Sequence, residues 1–149
     1  MDKVALESSY SGAKLPEDGK IDKDWVISLM EDLKNEKFLH KKYLLQIMTS
    51  LKEYYEKQQS LIDIEIPDDH EFSVCGDVHG QYYDVMNIFK INGYPSETNP
   101  YLFNGDFVDR GSFSVEIMVT FFCWKYLYPN HFHLARGNHE TKNLNRLYG

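Results

Sequence analysis

The sequence predicts an α/β fold built on a parallel sheet. Apolar residues recur at three- and four-residue steps early in the chain, alternate with charges around residue 62, and then fall into short runs separated by helix-length segments. From residue 71 onward the order strand, polar loop, helix repeats, as βαβ units require. Each strand-like run leads directly into a glycine-flanked loop. The three loops are Gly76-Asp77-Val78-His79-Gly80, Gly105-Asp106-Phe107-Val108-Asp109-Arg110-Gly111 and Gly137-Asn138-His139-Glu140. Loops at the carboxyl ends of parallel strands are where ligands collect in such sheets.

Residues 1–20 are polar and broken by Gly12, Pro16 and Gly19, which predicts a linker or wrapping arm. Residues 21–60 predict a helical extension. Trp25, Val26, Leu29, Met30 and Leu33 stripe its first helix, with Asp22 or Asp24 as N-cap. Leu44, Ile47, Met48, Leu51 and Tyr55 stripe the second, opposite Lys41, Lys42, Lys52 and Glu53. Residues 61–149 carry the motifs. Ile62, Ile64 and Ile66 alternate with Asp63 and Glu65, predicting a half-buried strand that Pro67-Asp68-Asp69 ends. A strand over 71–75 follows, then helices over about 81–91 and 113–127 and strands over about 100–104 and 131–134.

The bulk composition narrows the function. With 42% apolar and 15% aromatic residues, the 149-residue chain can bury a core, and disorder is not expected. The net charge of −7 argues against a nucleic-acid surface, which needs clustered Lys and Arg. Residues 1–70 hold ten Lys against fifteen acids (−5), and residues 71–149 hold six basic against eight acidic residues (−2). The motif half is thus nearly neutral before any cation binds. Cys75 and Cys123 are too few for a disulfide framework and read as buried thiols, pointing to a reducing compartment. The N-terminus lacks a basic start followed by an apolar run, and the most apolar stretch, 115–128, is interrupted by Glu116 and Lys125. A soluble cytoplasmic or nuclear protein without a membrane partner is expected.

The motifs carry the chemistry. Asp77 and His79, two residues apart in an extended turn that puts both side chains on one side, can grip one metal ion. Asp106 can bridge two ions through its carboxylate, and Asn138 offers an amide oxygen to the second. Mixed carboxylate, imidazole and amide ligation suits manganese, iron or zinc better than calcium. Two such ions can share a water, lower its pKa and direct the resulting hydroxide at phosphorus. Arg110 can clamp phosphate oxygens, while His139, oriented by Asp109, can protonate a leaving alkoxide. His131 and His133 alternate along a strand and read as structural, and His40 and His70 read as surface residues.

These three motifs, in this order, resemble the signatures of the phosphoprotein phosphatases, metallophosphoesterases that act on phosphoserine and phosphothreonine in proteins. Tyr10-Ser11-Gly12, Ser96-Glu97-Thr98-Asn99-Pro100-Tyr101, Gly111-Ser112-Phe113-Ser114-Val115-Glu116 and the stretch Tyr128-Pro129-Asn130-His131-Phe132-His133-Leu134 extend the resemblance over nearly the whole chain. It implies an α/β/β/α sandwich and two metal ions. Asp77, His79 and Asp106 would hold the first ion, and Asp106 with Asn138 the second. Arg110 would bind phosphate, and His139 with Asp109 would act as the general acid pair. The branch it matches best carries tetratricopeptide repeats that dock a chaperone tail; residues 1–20 resemble the linker after such repeats. It further implies that two more histidines, another arginine and the second sheet lie beyond Gly149, leaving an incomplete catalytic domain. The alternatives are a non-catalytic fragment with a binding or regulatory role, and another metallophosphoesterase such as a dinucleotide polyphosphate hydrolase or a nuclease.

Overall fold

The structure, a computed structural model, describes residues 4–67 and 71–148, so the readings placed on Asp68, Asp69 and His70 lie outside the described residues. Among the described residues, five helices and three strands follow in the order α1 (Lys23–Lys34), α2 (Lys41–Tyr55), β1 (Ser73–Cys75), α3 (Tyr82–Asn92), β2 (Tyr101–Phe103), α4 (Ser114–Leu127), β3 (Phe132–Leu134) and α5 (Lys142–Tyr148). The sheet is parallel in the order β1-β2-β3. Two right-handed crossovers stepping the same way across a sheet bring both connecting helices to one face. Accordingly, Phe89 of α3 and Phe121 of α4 both meet Phe103 of β2.

That face is the core. Tyr101, Phe103 and Phe132 are buried against Phe89, Phe121 and Trp124, and their rings meet at tilted and edge-on angles that suit the aromatic quadrupole. Pairing aligns Val74, Leu102 and His133 in one row on the opposite face, where Val74 is 66% exposed. The described residues therefore form helical layers on one face of a single sheet. The opposite face is where the implied sandwich would place its second sheet.

Helix α1 begins where the sequence predicts, with the Asp22 carboxylate accepting from the Trp25 amide at 2.8 Å. Helix α2 departs from the expected stripe. It buries Tyr43, Ile47 and Leu51, while Met48 is 43% exposed and Tyr55 is partly exposed. The chosen face is set by α4 and by Tyr10, whose ring packs beside His40 and Tyr43. His40 is not a plain surface residue: its Nδ1 accepts from the Lys42 amide and caps α2. The first segment is fastened both internally and to α1. Tyr10 donates to the Ala13 carbonyl at 2.7 Å, and Trp25 Nε1 donates to the Lys14 carbonyl at 2.9 Å.

The strand expected over Ile62, Ile64 and Ile66 does not form. Ile62 and Ile66 are 47% and 46% exposed, and among the described residues no backbone pairs with this segment. Alternation gives a segment two faces, but a strand also needs a hydrogen-bonding neighbour. Cys123 is buried as expected, whereas Cys75 is only half-buried at the end of the edge strand β1. No described helix is long and apolar enough to cross a membrane.

Lys125 is the least expected occupant of the interior. Its Nζ donates to the Pro129 carbonyl at 2.7 Å and lies over the rings of Tyr54 and Tyr55, at 5.1 and 5.6 Å from their centroids. Burial lowers its pKa to about 8, so the unfolded chain binds more protons than the folded chain from there up to 10.5. Stability therefore rises as pH increases through that window. Buried Cys123 works in the opposite sense: its raised pKa makes the folded chain hold a proton that the unfolded chain sheds above 9.0. Urea midpoints are expected to climb between about pH 8 and 9 and to flatten or fall beyond, and Lys125→Met should remove the climb.

Candidate metal centre and its proton donor

The site lies where the three loops leave β1, β2 and β3. The first two loops are stitched together by backbone. The Asp106 carbonyl accepts from Val78 and His79 at 3.2 and 3.0 Å, Gly80 donates to the Phe107 carbonyl at 2.8 Å, and Gly111 donates to the His79 carbonyl at 2.9 Å. This approach explains Gly80, since a Cβ there would stand 2.6 Å from the Gly111 oxygen. Gly137 has the same role against the second loop: a Cβ on it would collide with the Asp106 side chain.

His79, Asp106, Asp109 and Arg110 all have positive φ, between 35° and 69°. For residues other than glycine this costs on the order of 1–3 kcal/mol each and persists only where surrounding contacts enforce it. The first turn is accordingly not the extended one that would put Asp77 and His79 on one side by alternation. The left-handed twist at His79 brings the pair together instead.

Asp77, His79 and Asp106 each present a ligand atom, and all three atoms lie within 4.8 Å of one another. His79 Nδ1 lies 2.8 Å from the Val108 carbonyl, which can only accept. Nδ1 therefore carries the proton and Nε2 is left as the donor atom toward the cluster, 3.7 Å from Asp77 Oδ2. Two carboxylates and one imidazole nitrogen suit a borderline divalent ion. Asp106 Oδ1 also accepts from the His139 amide at 3.0 Å, tying the second loop to the third.

Beside this cluster His139 Nδ1 lies 2.8 Å from Asp109 Oδ2, with both residues buried. The two imidazoles of His79 and His139 meet edge to face at 4.7 Å. Arg110 is exposed, and among the described residues it makes no ion pair. Asn138 is exposed between two anchored amides, those of Gly137 and His139. His131 and His133 stay out of the cluster, with His133 Nε2 at 3.1 Å from the Asn130 carbonyl.

Sequence reasoning passed over Glu140. Its carboxylate accepts from the amides of Asp106 and Phe107, both at 2.8 Å, and of Gly137 at 2.9 Å. It also passed over α5, which brings the Tyr148 ring to 6.1 Å from His139. A carboxylate directly after the proton-donor candidate His139 gave no signal that two of its partners would be backbone amides more than thirty residues upstream.

Residues 71–149, all three loops included, match the model of the calcineurin-like phosphoesterases. The chain belongs to that family. Residues 1–63 match a second family, described as the PPP5 TPR repeat region. Among curated relatives of this phosphoesterase, serine/threonine-protein phosphatase 5 of Homo sapiens is 52% identical over 149 residues, which cover 100% of this chain and 30% of that protein. The Arabidopsis thaliana protein of the same name is 54% identical over 97% of this chain and 27% of its own length. Serine/threonine-protein phosphatase T of Schizosaccharomyces pombe is 47% identical over 97% of this chain and 30% of its length. A solved Saccharomyces cerevisiae protein serine/threonine phosphatase, described as similar to human phosphatase PP5, superposes with a TM-score of 0.82 at 42% identity, covering 87% of this chain and 42% of that one. The chain thus spans about 30% of the length of the human relative it matches.

Proposed function

We propose that this chain carries the front part of the catalytic centre of a serine/threonine protein phosphatase, which hydrolyses phosphoserine and phosphothreonine in proteins. The observation that carries it is the buried His139–Asp109 pair, 2.8 Å apart, beside the Asp77, His79 and Asp106 donor cluster. An alkoxide leaving group needs a positioned acid, and this one has its own orienting carboxylate. Asp77, His79 and Asp106 would hold a first cation, and Asp106 and Asn138 would hold a second, with manganese, iron or zinc the ions that fit. Bound there, such ions would acidify a water and draw charge off the phosphoryl oxygens. Arg110 takes two phosphate oxygens in its guanidinium fork. Asp109 keeps Nδ1 of His139 protonated and turns Nε2 to the substrate, where it delivers a proton to the departing serine or threonine oxygen. The substrates are phosphoproteins in the cytoplasm or nucleus. Tetratricopeptide repeats in the longer protein would recruit a chaperone tail, a reading supported by the match of residues 1–63.

The test is phosphate release from a phosphoserine peptide, in the presence of manganese, by the longer protein in which this chain would form the front part of the catalytic domain. Release that a chelator abolishes and Asp77→Asn strongly lowers is expected. Release that survives chelation overturns the metal assignment, and faster release from a dinucleotide polyphosphate assigns a different phosphoesterase. Silence at saturating manganese favours a non-catalytic binding or regulatory fragment.

A further inference from the structure

We propose that Glu140 is a positioning residue: by gathering the amides of Asp106, Phe107 and Gly137, its carboxylate holds Asp106 in the left-handed conformation that presents it to the cation site. This rests on the proposed role of Asp106 as a cation ligand. Asp106 sits at φ 54°, where an L residue with a side chain stays only under constraint. Two bonds fix its carbonyl, those from the Val78 and His79 amides, and one fixes its side chain, that from the His139 amide. Its own N–H is fixed by Glu140 Oε2 at 2.8 Å. With the N–H and C=O of one residue both pinned, its φ and ψ are overdetermined.

The same Oε2 accepts from Gly137 at 2.9 Å, while Oε1 accepts from Phe107 at 2.8 Å. One negative charge thus draws three N–H dipoles from two loops into a short, charge-assisted set. It does so at the point where the Gly137 backbone comes too close to Asp106 for any Cβ. The Asp77, His79 and Asp106 donor cluster does not include Glu140, and the bonds of its carboxylate run to backbone. It is therefore placed to shape a ligand rather than to act as one. Groups that orient a ligand in this way commonly shift metal affinity when replaced.

Two substitutions separate positioning from charge. Glu140→Gln keeps the length but has one acceptor oxygen, and turns an NH2 toward amides that also donate. Glu140→Asp keeps the charge but is one methylene too short to reach all three amides. Manganese binding, read from the electron paramagnetic resonance of the free ion in the full chain, is expected to weaken roughly 10–100-fold in both variants. The three-bond HN–Hα coupling of Asp106 and the amide shifts of Asp106, Phe107 and Gly137, read without metal, should move in both. Wild-type affinity in Glu140→Asp would mean that charge alone matters and would overturn the proposal. Weakened binding with an unmoved Asp106 coupling, or a moved coupling with unchanged binding, would overturn it equally. Should Glu140→Gln fail to fold, Glu140→Asp carries the same comparisons. A wild type that binds manganese but releases no phosphate would count against the proposed phosphatase and leave this assignment standing.

Discussion

Asn in place of Asp109 is expected to lower kcat for a phosphoserine peptide by roughly 10²–10⁴-fold while KM stays near the wild-type value, the range for loss of positioned acid–base catalysis. The buried Asp109 touches His139 through its side chain, and its amide bonds to Ser114 Oγ at 3.1 Å. An amide oxygen can still accept from Nδ1, so geometry and substrate binding should survive. What disappears is the carboxylate charge 2.8 Å from the His139 ring. Because His139 and Asp109 act as one unit, Asp109→Asn combined with His139→Asn should cost no more than His139→Asn alone. Steady-state kinetics on the three variants reads this directly, and a kcat for Asp109→Asn within a few-fold of wild type would remove the pair from the chemistry.

Phe103→Ala is expected to destabilise the fold by about 3–5 kcal/mol, as for other large-to-alanine changes in tightly packed cores. Phe103 is fully buried on the central strand, with ring centroids of Phe121 at 4.3 Å, Phe132 at 5.6 Å and Phe89 at 6.2 Å. Three aromatic rings cannot slide together to refill the space of a fourth as aliphatic chains can, so most of the cavity should remain. A urea series would show the loss as a lower midpoint at constant slope. Two residues further on the chain enters the Asp106 loop, so manganese binding should weaken in Phe103→Ala before the protein unfolds globally.

The helices and parallel strands from β1 to β3 are legible in the sequence because their signals are local. Apolar spacing marks α1, α3 and α4, and short apolar runs before glycines mark β1, β2 and β3. Features that depend on distant partners are not legible. Tyr10, more than thirty residues upstream, helps decide that α2 buries Tyr43 and leaves Met48 open. The Ile62 segment has a strand's alternation but no neighbour, and α5 is too short to give a period. In the site, Asp77, His79, Asp106, Asp109 and His139 could be singled out because their chemistry stands out between glycines. Glu140 could not, because its three partners belong to amides that no side-chain pattern records.

Each strand contributes only three residues, yet the loops they launch hold four non-glycine residues in left-handed backbone. Such an arrangement behaves like a masonry arch: the footings are slight, and the span keeps its curve because the stones lean on one another. Cross-loop bonds at Glu140, Asp106 and the Gly80–Gly111 contact are its keystones. Engineering that thickens the footings, by lengthening strands or enriching helices, would raise melting temperature without tightening the span. Fidelity of the centre has to be sought, and will be lost, at the keystones.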